Sequence, residues 1–383
     1  MKKTDFSQNA PGRIINTIHG YCAFIPDPLP PKIEWSSNLI TQLTKAERSI
    51  ARLEEVGRAF PIPHVVVRPF VRKEAVLSSQ IEGTQITFQN LLRYEAKQLS
   101  FFSDESDAIE VKNYVKALDY GIERIRTLPI SICLLKELHA ILLKGVRGEF
   151  FTPGEIRHSQ NWIGRPGATL ENARYVPPPV EEMQECLSDL EKYIHEDSNL
   201  PALIRIGMIH YQFEAIHPFL DGNGRIGRLL ITLLLTTWQI LTQPLLYLSI
   251  YIERNKTEYY DRLLSVSIKG QWEEWLMFFL EGVREQAEDA VAKINALTLL
   301  RSDYHTFFIN DRNREKLIDA VDYFISAPIS SISQAQETSD LGNFTMIQRY
   351  FDKLIQFGIV EEITGGKRNR IYKATEILRI LEE

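Results

Sequence analysis

The chain of 383 residues is 44% hydrophobic and 25% charged, with a formal net charge of −6 and an isoelectric point near 5.9. That length exceeds one ordinary core, so two or three domains are expected in a protein of soluble, globular composition. The acidic balance argues against a protein devoted to coating nucleic acid or anionic membrane, and leaves room for a small local basic patch. Cys22, Cys133 and Cys186 are odd in number and form no CxxC pair. They predict buried, reduced thiols in a cytoplasmic compartment, with neither a zinc site nor a cysteine nucleophile.

Residues 1–11 are polar and lack the apolar run of a signal peptide. Residues 1–35, rich in proline (Pro26, Pro28, Pro30, Pro31), predict an extended arm lying on the surface. Leu39, Leu43, Ala46, Ile50 and Leu53 then recur at helical spacing, which predicts a helix over 36–58 stopped by Gly57. Pro61 and Pro63 break the chain, and a second helix is expected over about 70–81, ending near Gly83. Ser78 and Glu82 are four apart and share a face of it.

Two more helices are expected at 105–127 and 130–146. His139, in the second, reads as a satisfied histidine, since no carboxylate or second histidine stands at ligand spacing. From 151 to 179 glycines and prolines take over, and 155–163 and 173–176 read as the arms of a short hairpin. Helices follow at 181–195, 203–215 and 225–240. Residues 229–252 hold no charge, yet Pro244 splits them and 229–241 is too short for about 30 Å of hydrocarbon, so a buried core helix is predicted rather than a membrane span.

Between two of these helices lies His217-Pro218-Phe219-Leu220-Asp221-Gly222-Asn223-Gly224-Arg225-Ile226-Gly227-Arg228. Each ingredient suits a polyphosphate. The glycines let backbone N–H groups approach an anion, the arginines answer its charge, the carboxylate can hold a divalent metal, and the imidazole can take a proton. Gly224 and Arg225 open a helix, whose N-terminus is a ready anion site. Residues 222–227 also satisfy GxGxxG. A dinucleotide fold needs a preceding strand and an acid about 20 residues on; here a helix precedes and no acid comes before Glu253. No Walker pattern is present.

Residues 253–267 read as a helix carrying Tyr259 and Tyr260. Trp272, Trp275, Phe278 and Phe279 read as core on the next, with Trp272 a weaker nucleotide-pocket candidate, and 282–300 continue that helix out of the central domain. Three helices (312–326, 331–339, 343–357) and two strand-like runs (359–363, 370–373) about Gly365-Gly366 then resemble a winged helix-turn-helix. Over 311–383 there are ten Lys/Arg and twelve Asp/Glu, about −2, with Lys367, Arg368, Arg370 and Lys373 at the wing tip. DNA binding at the wing and a protein-docking or dimerising role are both open.

The stretch 217–228 resembles the signature of the Fic (filamentation induced by cyclic AMP) family, HPFx[DE]GNGRxxR, at every fixed position. Ser78 to Gly83 resemble that family's [ST]xxxE[GN] inhibitory motif. The resemblance implies a mainly α fold: N-terminal helices with an inhibitory helix near 70–83 (1–115), a catalytic core with a hairpin flap at 155–176 (116–300), and a winged helix-turn-helix (301–383). It implies a protein adenylyltransferase moving AMP from ATP to a Ser, Thr or Tyr hydroxyl of a target protein, which can be the protein itself. His217 would be the general base, Asp221 the Mg²⁺ holder, and Gly222-Asn223-Gly224 the anion nest. Arg225 would support the phosphates and Arg228 meet the γ-phosphate, with Phe219 anchoring the loop. Ile163, Gly164, Trp162 and Tyr175 are the flap candidates, and Tyr259 and Tyr260 the adenine candidates. Glu82 would bind Arg228 and inhibit. Transfer of another group, removal of AMP by water held at Glu82, and an ATP-sensing regulator that docks DNA or protein stay open. A homodimer is expected.

Overall fold

The computed structural model describes residues 2–17, 20–97, 105–165, 167–366 and 368–383. Expectations that touch Pro166 and Lys367 lie outside them. Among the described residues the chain is mainly helical, with two small antiparallel sheets. Of the three thiols expected to be buried, Cys186 is, Cys22 is partly so, and Cys133 faces solvent.

The first 35 residues depart from a bare surface arm. Strands β1 (Gly12–Asn16) and β2 (Cys22–Pro26) pair antiparallel, Ile14 opposite Phe24. Pro26 is the last residue of β2, opposite Gly12, and Pro28, Pro30 and Pro31 lie beyond it, so none interrupts the hairpin. Ala23 and Phe24 are fully buried, and the Phe24 N–H donates to the Val176 carbonyl at 3.0 Å. The hairpin therefore backs the segment expected to be the flap.

Helix α1 (Ser37–Ala59) starts where Ser36 Oγ accepts the Leu39 N–H, and it buries the predicted stripe. It runs through Gly57, whose role is close approach: a β-carbon there would stand 2.6 Å from Leu245 Cδ1. Helix α2 (Pro63–Ile81) begins earlier than the periodicity predicts, because Pro63 in the first turn sacrifices no hydrogen bond. It ends at Glu82 and the left-handed Gly83, with φ +105. Helix α3 (Phe88–Lys97) had no signal in the sequence reading; α4 (Glu105–Arg124) and α5 (Ile132–Leu142) match their expectations within a few residues.

The expected hairpin at 155–176 is a single bridge. Ile163 and Tyr175 exchange backbone hydrogen bonds of 2.9 and 3.0 Å. No ladder extends from it: Pro177, Pro178 and Pro179 lack N–H groups, and the carbonyls of Ser159, Pro177 and Pro178 accept from side chains of the same segment.

Helices α6 (Val180–His195), α7 (Ala202–Ile216) and α8 (Asn223–Thr237) form the centre, α7 packing on both α6 and α8. Every residue of α7 from Leu203 on is buried. The uncharged run enters the core as α8, which stops at Thr237, and no helix among the described residues is long and apolar enough to cross a membrane. A break at Asn255 splits the next expected helix into α9 (Ser249–Arg254) and α10 (Lys256–Lys269). Helix α11 (Trp272–Phe307) runs 36 residues without interruption, packs along α1, and continues past residue 300.

Beyond it come α12 (Arg314–Ser326), β3 (Ile329–Ser331), α13 (Ile332–Thr338), α14 (Phe344–Gln356), β4 (Glu361–Glu362), β5 (Ile371–Lys373) and an unanticipated α15 (Thr375–Glu382). The sheet order is β3-β5-β4, antiparallel throughout. This unit sits against the N-terminal helices. Helix α12 packs on α2 and β3 on α3, while Lys73 of α2 donates to the carbonyls of Leu381 (2.6 Å) and Glu382 (3.4 Å).

Candidate active site

Helix α7 ends at His217, which caps it in the left-handed conformation, φ 50 and ψ 60. The His217 Nδ1 lies 3.3 Å from the Glu214 carbonyl and, facing an acceptor, carries the proton. The Nε2 lone pair is thereby left to act as a base. Burial pushes the imidazole down to about 4; the Glu214 carbonyl opposes this, Arg157 reinforces it, and Glu82 and Asp221 oppose it. At neutral pH His217 is an uncharged base.

The loop after it is stapled from within. Asn223 Oδ1 accepts the Phe219 N–H at 2.9 Å, and Asn223 Nδ2 donates to the Phe219 carbonyl at 2.8 Å. Phe219 is buried, consistent with the anchor expected of it, and stacks on His139 at 4.0 Å. Gly222 caps α8 with φ 78; a side chain there would meet the His139 ring. His139 is more than a satisfied core residue. Its Nδ1 accepts the Gly154 N–H at 2.9 Å, so its Nε2–H donates to the Asp221 carbonyl at 3.0 Å. Burial lowers it to about 4 and keeps it neutral.

The two arginines diverge. Arg225 is buried and donates to Glu110 of α4 at 2.5 Å, with Asp221 3.8 Å from its other nitrogen. Glu110 also accepts from Thr84. Arg225 is thus committed to a protein acid. Arg228 reaches α2: its Nε donates to Ser78 Oγ at 2.8 Å, and its Nη2 to the Ser78 carbonyl at 3.0 Å and to Glu82 Oε1 at 2.8 Å. The Arg228 side chain is 2% exposed and that of Glu82 30%. Burial would raise the Glu82 carboxyl, but Arg228, then Arg225 and Lys256, outweigh it and hold it below its usual range.

Glu82 also lies on the loop itself. A β-carbon on Gly224 would collide with Glu82 Oε1, so this carboxylate rests over the first turn of α8, where unpaired N–H groups attract anions. Basic groups hold the end of α2 in place: Lys256 donates to the Ile81 carbonyl and Arg147 to the Glu82 carbonyl at 3.4 Å. A second carboxyl, Glu214, stands against Gly227 with Oε1 unpartnered; burial, and then Glu82 against the pull of Arg228, raise it to about 7.

The remaining candidates separate. Tyr259 is buried, its hydroxyl 2.9 Å from His210 Nε2, whereas Tyr260 is half-buried beside it. Trp272 packs edge-on to Tyr211 in the core. Ile163 is half-buried in the bridge, Gly164 lies against Ala168, and the exposed Trp162 donates to the Ala168 carbonyl. Tyr175 ties the segment to α7 through the Ala215 carbonyl at 2.9 Å. Sequence reasoning missed Glu110, Glu214, Arg157 and Asn161. Asn161 donates to the carbonyls of His217 and Phe219 at 3.2 and 2.8 Å.

Family models of the Fic/DOC family match twice, the N-terminal model over residues 40–123 and the Fic model over 129–235. The protein adenylyltransferase fic-1 of Caenorhabditis elegans is 32% identical over 108 residues, 28% of this chain and 19% of that one. The protein adenylyltransferase Fic of Drosophila willistoni is 27% identical over 206 residues, 50% and 39% of the two chains. The chain thus spans well under half the length of either relative. A crystal structure of a Fic family protein from Desulfovibrio desulfuricans G20 shares the fold with a TM-score of 0.59 at 18% identity, covering 90% of this chain and 98% of that one. With both family domains in sequence and the helical core around 217–228, the chain belongs to the Fic/DOC family.

Proposed function

We propose that this protein transfers AMP from ATP to a hydroxyl of a target protein, and that Glu82 restrains it. The observation that carries this reading is the Glu82 carboxylate seated on Gly224 and bound to Arg228. A negative group already fills the place where a nucleotide's terminal phosphate would meet a helix N-terminus and an arginine.

With Glu82 displaced, Arg228 takes the γ-phosphate and the first turn of α8 receives the other phosphates. His217 Nε2 removes the proton of a Ser, Thr or Tyr hydroxyl as that oxygen bonds to the α-phosphorus. The bond from that phosphorus to the α,β-bridging oxygen breaks, diphosphate departs, and the proton leaves through the imidazole to solvent. Arg225, held by Glu110, supports this loop from behind. Tyr260 is the better adenine candidate of its pair, because Tyr259 is spent on His210.

Asp221 would hold Mg²⁺. Its side chain is 40% exposed and its Oδ1 accepts only its own turn's Gly222 N–H. Among the described residues no group of three His, Cys, Asp or Glu could form a full protein cage, and a single carboxylate suits a cation that shares substrate phosphates and waters. Bound there, the ion supplies neutralisation of developing phosphate charge.

The Glu82 carboxylate, ionised and partly open to solvent, also supports a hydrolytic second reading in which it orients water against an AMP-modified target. Cytoplasmic location, a homodimer, the division at residues 115 and 300, and DNA or protein docking by a winged 301–383 unit stay part of the proposal. The test uses ATP labelled at the α-phosphate. Glu82→Gly should raise incorporation into protein by about 5- to 150-fold, the range of a 1–3 kcal/mol coupling. Label released from a pre-modified target, with none incorporated, would favour the hydrolytic reading instead.

A further inference from the structure

Arg157 is used nowhere in the chemistry above, and its setting is unusual for an arginine. It is 0% exposed, and no carboxylate stands within ion-pair distance of it among the described residues. Its donors all go to backbone carbonyls: Nε to His217 at 3.0 Å, Nη1 to Ser159 at 3.1 Å, and Nη2 to Pro178 at 2.5 Å. Its own N–H donates to the Pro218 carbonyl at 2.9 Å. Burial lowers the guanidinium to about 10, so it is still charged at neutral pH. Burying an unpaired charge is costly, and neutral donors would serve merely to satisfy carbonyls.

What the charge and its fork achieve lies at His217. That residue holds a left-handed backbone, which non-glycine residues adopt at a cost and keep only when their surroundings over-determine it. Its carbonyl is the point of grip, shared by Arg157 Nε and Asn161 Nδ2. The same guanidinium spans Ser159 on one side of the Ile163–Tyr175 bridge and Pro178 on the other. One planar group therefore locks both sides of this segment to the main chain of the base.

We propose that Arg157 is the positioning residue of the base: its guanidinium holds His217 in the left-handed turn and registers the imidazole to the 155–178 segment. Bound to the His217 carbonyl, its charge also discourages protonation of the imidazole. The other charged groups facing that ring are Glu82 from α2 and Asp221 from the loop, with the Glu214 carbonyl from α7. This rests on His217 acting as the base of the proposed transfer.

The test places Arg157→Gln and Arg157→Lys in the Glu82→Gly protein and measures three things: kcat for AMP incorporation, ATP affinity by calorimetry, and the His217 imidazole titration by NMR. Arg157→Gln should lower kcat about 100-fold, the scale of a misplaced catalytic group, with ATP affinity within about threefold. Its imidazole should titrate at higher pH than in the parent. Arg157→Lys keeps the charge and loses the fork. It should lower kcat about tenfold while the imidazole titration stays near the parent's. Unchanged kcat in Arg157→Lys, or loss of ATP affinity in step with kcat, would overturn the proposal. If Arg157→Gln fails to fold, Arg157→Lys decides alone on those criteria. If the Glu82→Gly parent itself incorporates no AMP, the transfer reading fails. The imidazole titration in Arg157→Gln and Arg157→Lys then still judges the grip, and an unmoved titration in Arg157→Gln sinks it.

Discussion

The signature loop is held from two sides by different chemistry. Toward α2 and α4 it meets carboxylates: Glu82 on Arg228 and Glu110 on Arg225. Toward α5 and the 154–178 segment it meets donors to its backbone: His139 on Asp221, Arg157 on His217, Asn161 on His217 and Phe219. An ion pair can exchange one anion for another, so the side carrying Glu82 suits regulation. A carbonyl bound by a buried donor has no such rival, so the other side suits alignment. Within the first side the two pairs also differ. Glu110 is as buried as Arg225, whereas Glu82 keeps 30% of its side chain exposed at the end of a helix. Glu82 already reaches solvent and can swing out into it, and the buried Arg228 it leaves is then free to meet a phosphate.

The largest expected effect separates chemistry from both supports. His217→Ala in the Glu82→Gly protein should lower AMP incorporation by at least about 100-fold, the lower range for loss of a general base, while calorimetry finds ATP affinity nearly unchanged. Loss of affinity with activity would make His217 a structural residue and blur the contrast between the two sides.

Next, Glu110→Gln should behave unlike Glu82→Gly. It leaves Arg225 buried without its acid, and breaking such a pair costs about 3–5 kcal/mol, read as a lowered midpoint in urea unfolding. Glu82→Gly also takes the acid from a buried arginine, but Arg228 keeps both bonds to Ser78, so it should lower that midpoint by less. Equal destabilisation by both variants would remove the distinction between a fixed and an exchangeable pair.

The smallest effect concerns pH. His139, His210 and His217 are lowered by burial to about 4, about 3 and about 4 from an ordinary 6.5. Between pH 6.5 and 4 the unfolded chain binds protons that the folded histidines refuse, so stability falls as pH falls, each pKa unit being worth ~1.4 kcal/mol. Glu214, raised to about 7 from 4.5, works the other way over 4.5–7, because the folded state holds its proton more tightly. The three histidines set a slope of falling stability toward acid, which Glu214 and Glu74, both raised by burial, oppose. His139→Phe keeps the stack on Phe219 and should flatten that slope in urea unfolding at pH 6.5, 5.5 and 4.5.

How much of this was legible in the sequence follows the same division. Side-chain groups that act on phosphates or on one another leave spacing patterns: 217–228 is contiguous, and Ser78 and Glu82 share a helical face. Both sets were found, and α1, α4 to α8 and α11 announced themselves by apolar period. Donors to backbone carbonyls leave no such trace. Arg157 and Asn161 sit in a run whose alternation imitates a strand, and that imitation also produced the hairpin reading of 155–176. Glu155 stands two residues before Arg157, on the same face of a strand, so the run offers an apparent partner acid that the fold does not use. Glu110, the partner of Arg225, is one acid among many on α4, and its pairing across 115 residues is set only by packing. The hairpin at 12–26 was obscured because prolines at its margins dominated the composition of the whole segment.

The central claim is that Glu82 and a nucleotide phosphate compete for Arg228. Intact-mass spectrometry of the wild-type and Glu82→Gly proteins, each incubated with ATP, Mg²⁺ and a cell lysate as the source of targets, tests it most directly. The account predicts AMP adducts on the protein or on lysate proteins with Glu82→Gly and few with wild type. Equal adducts from both, or fewer from Glu82→Gly, would contradict it.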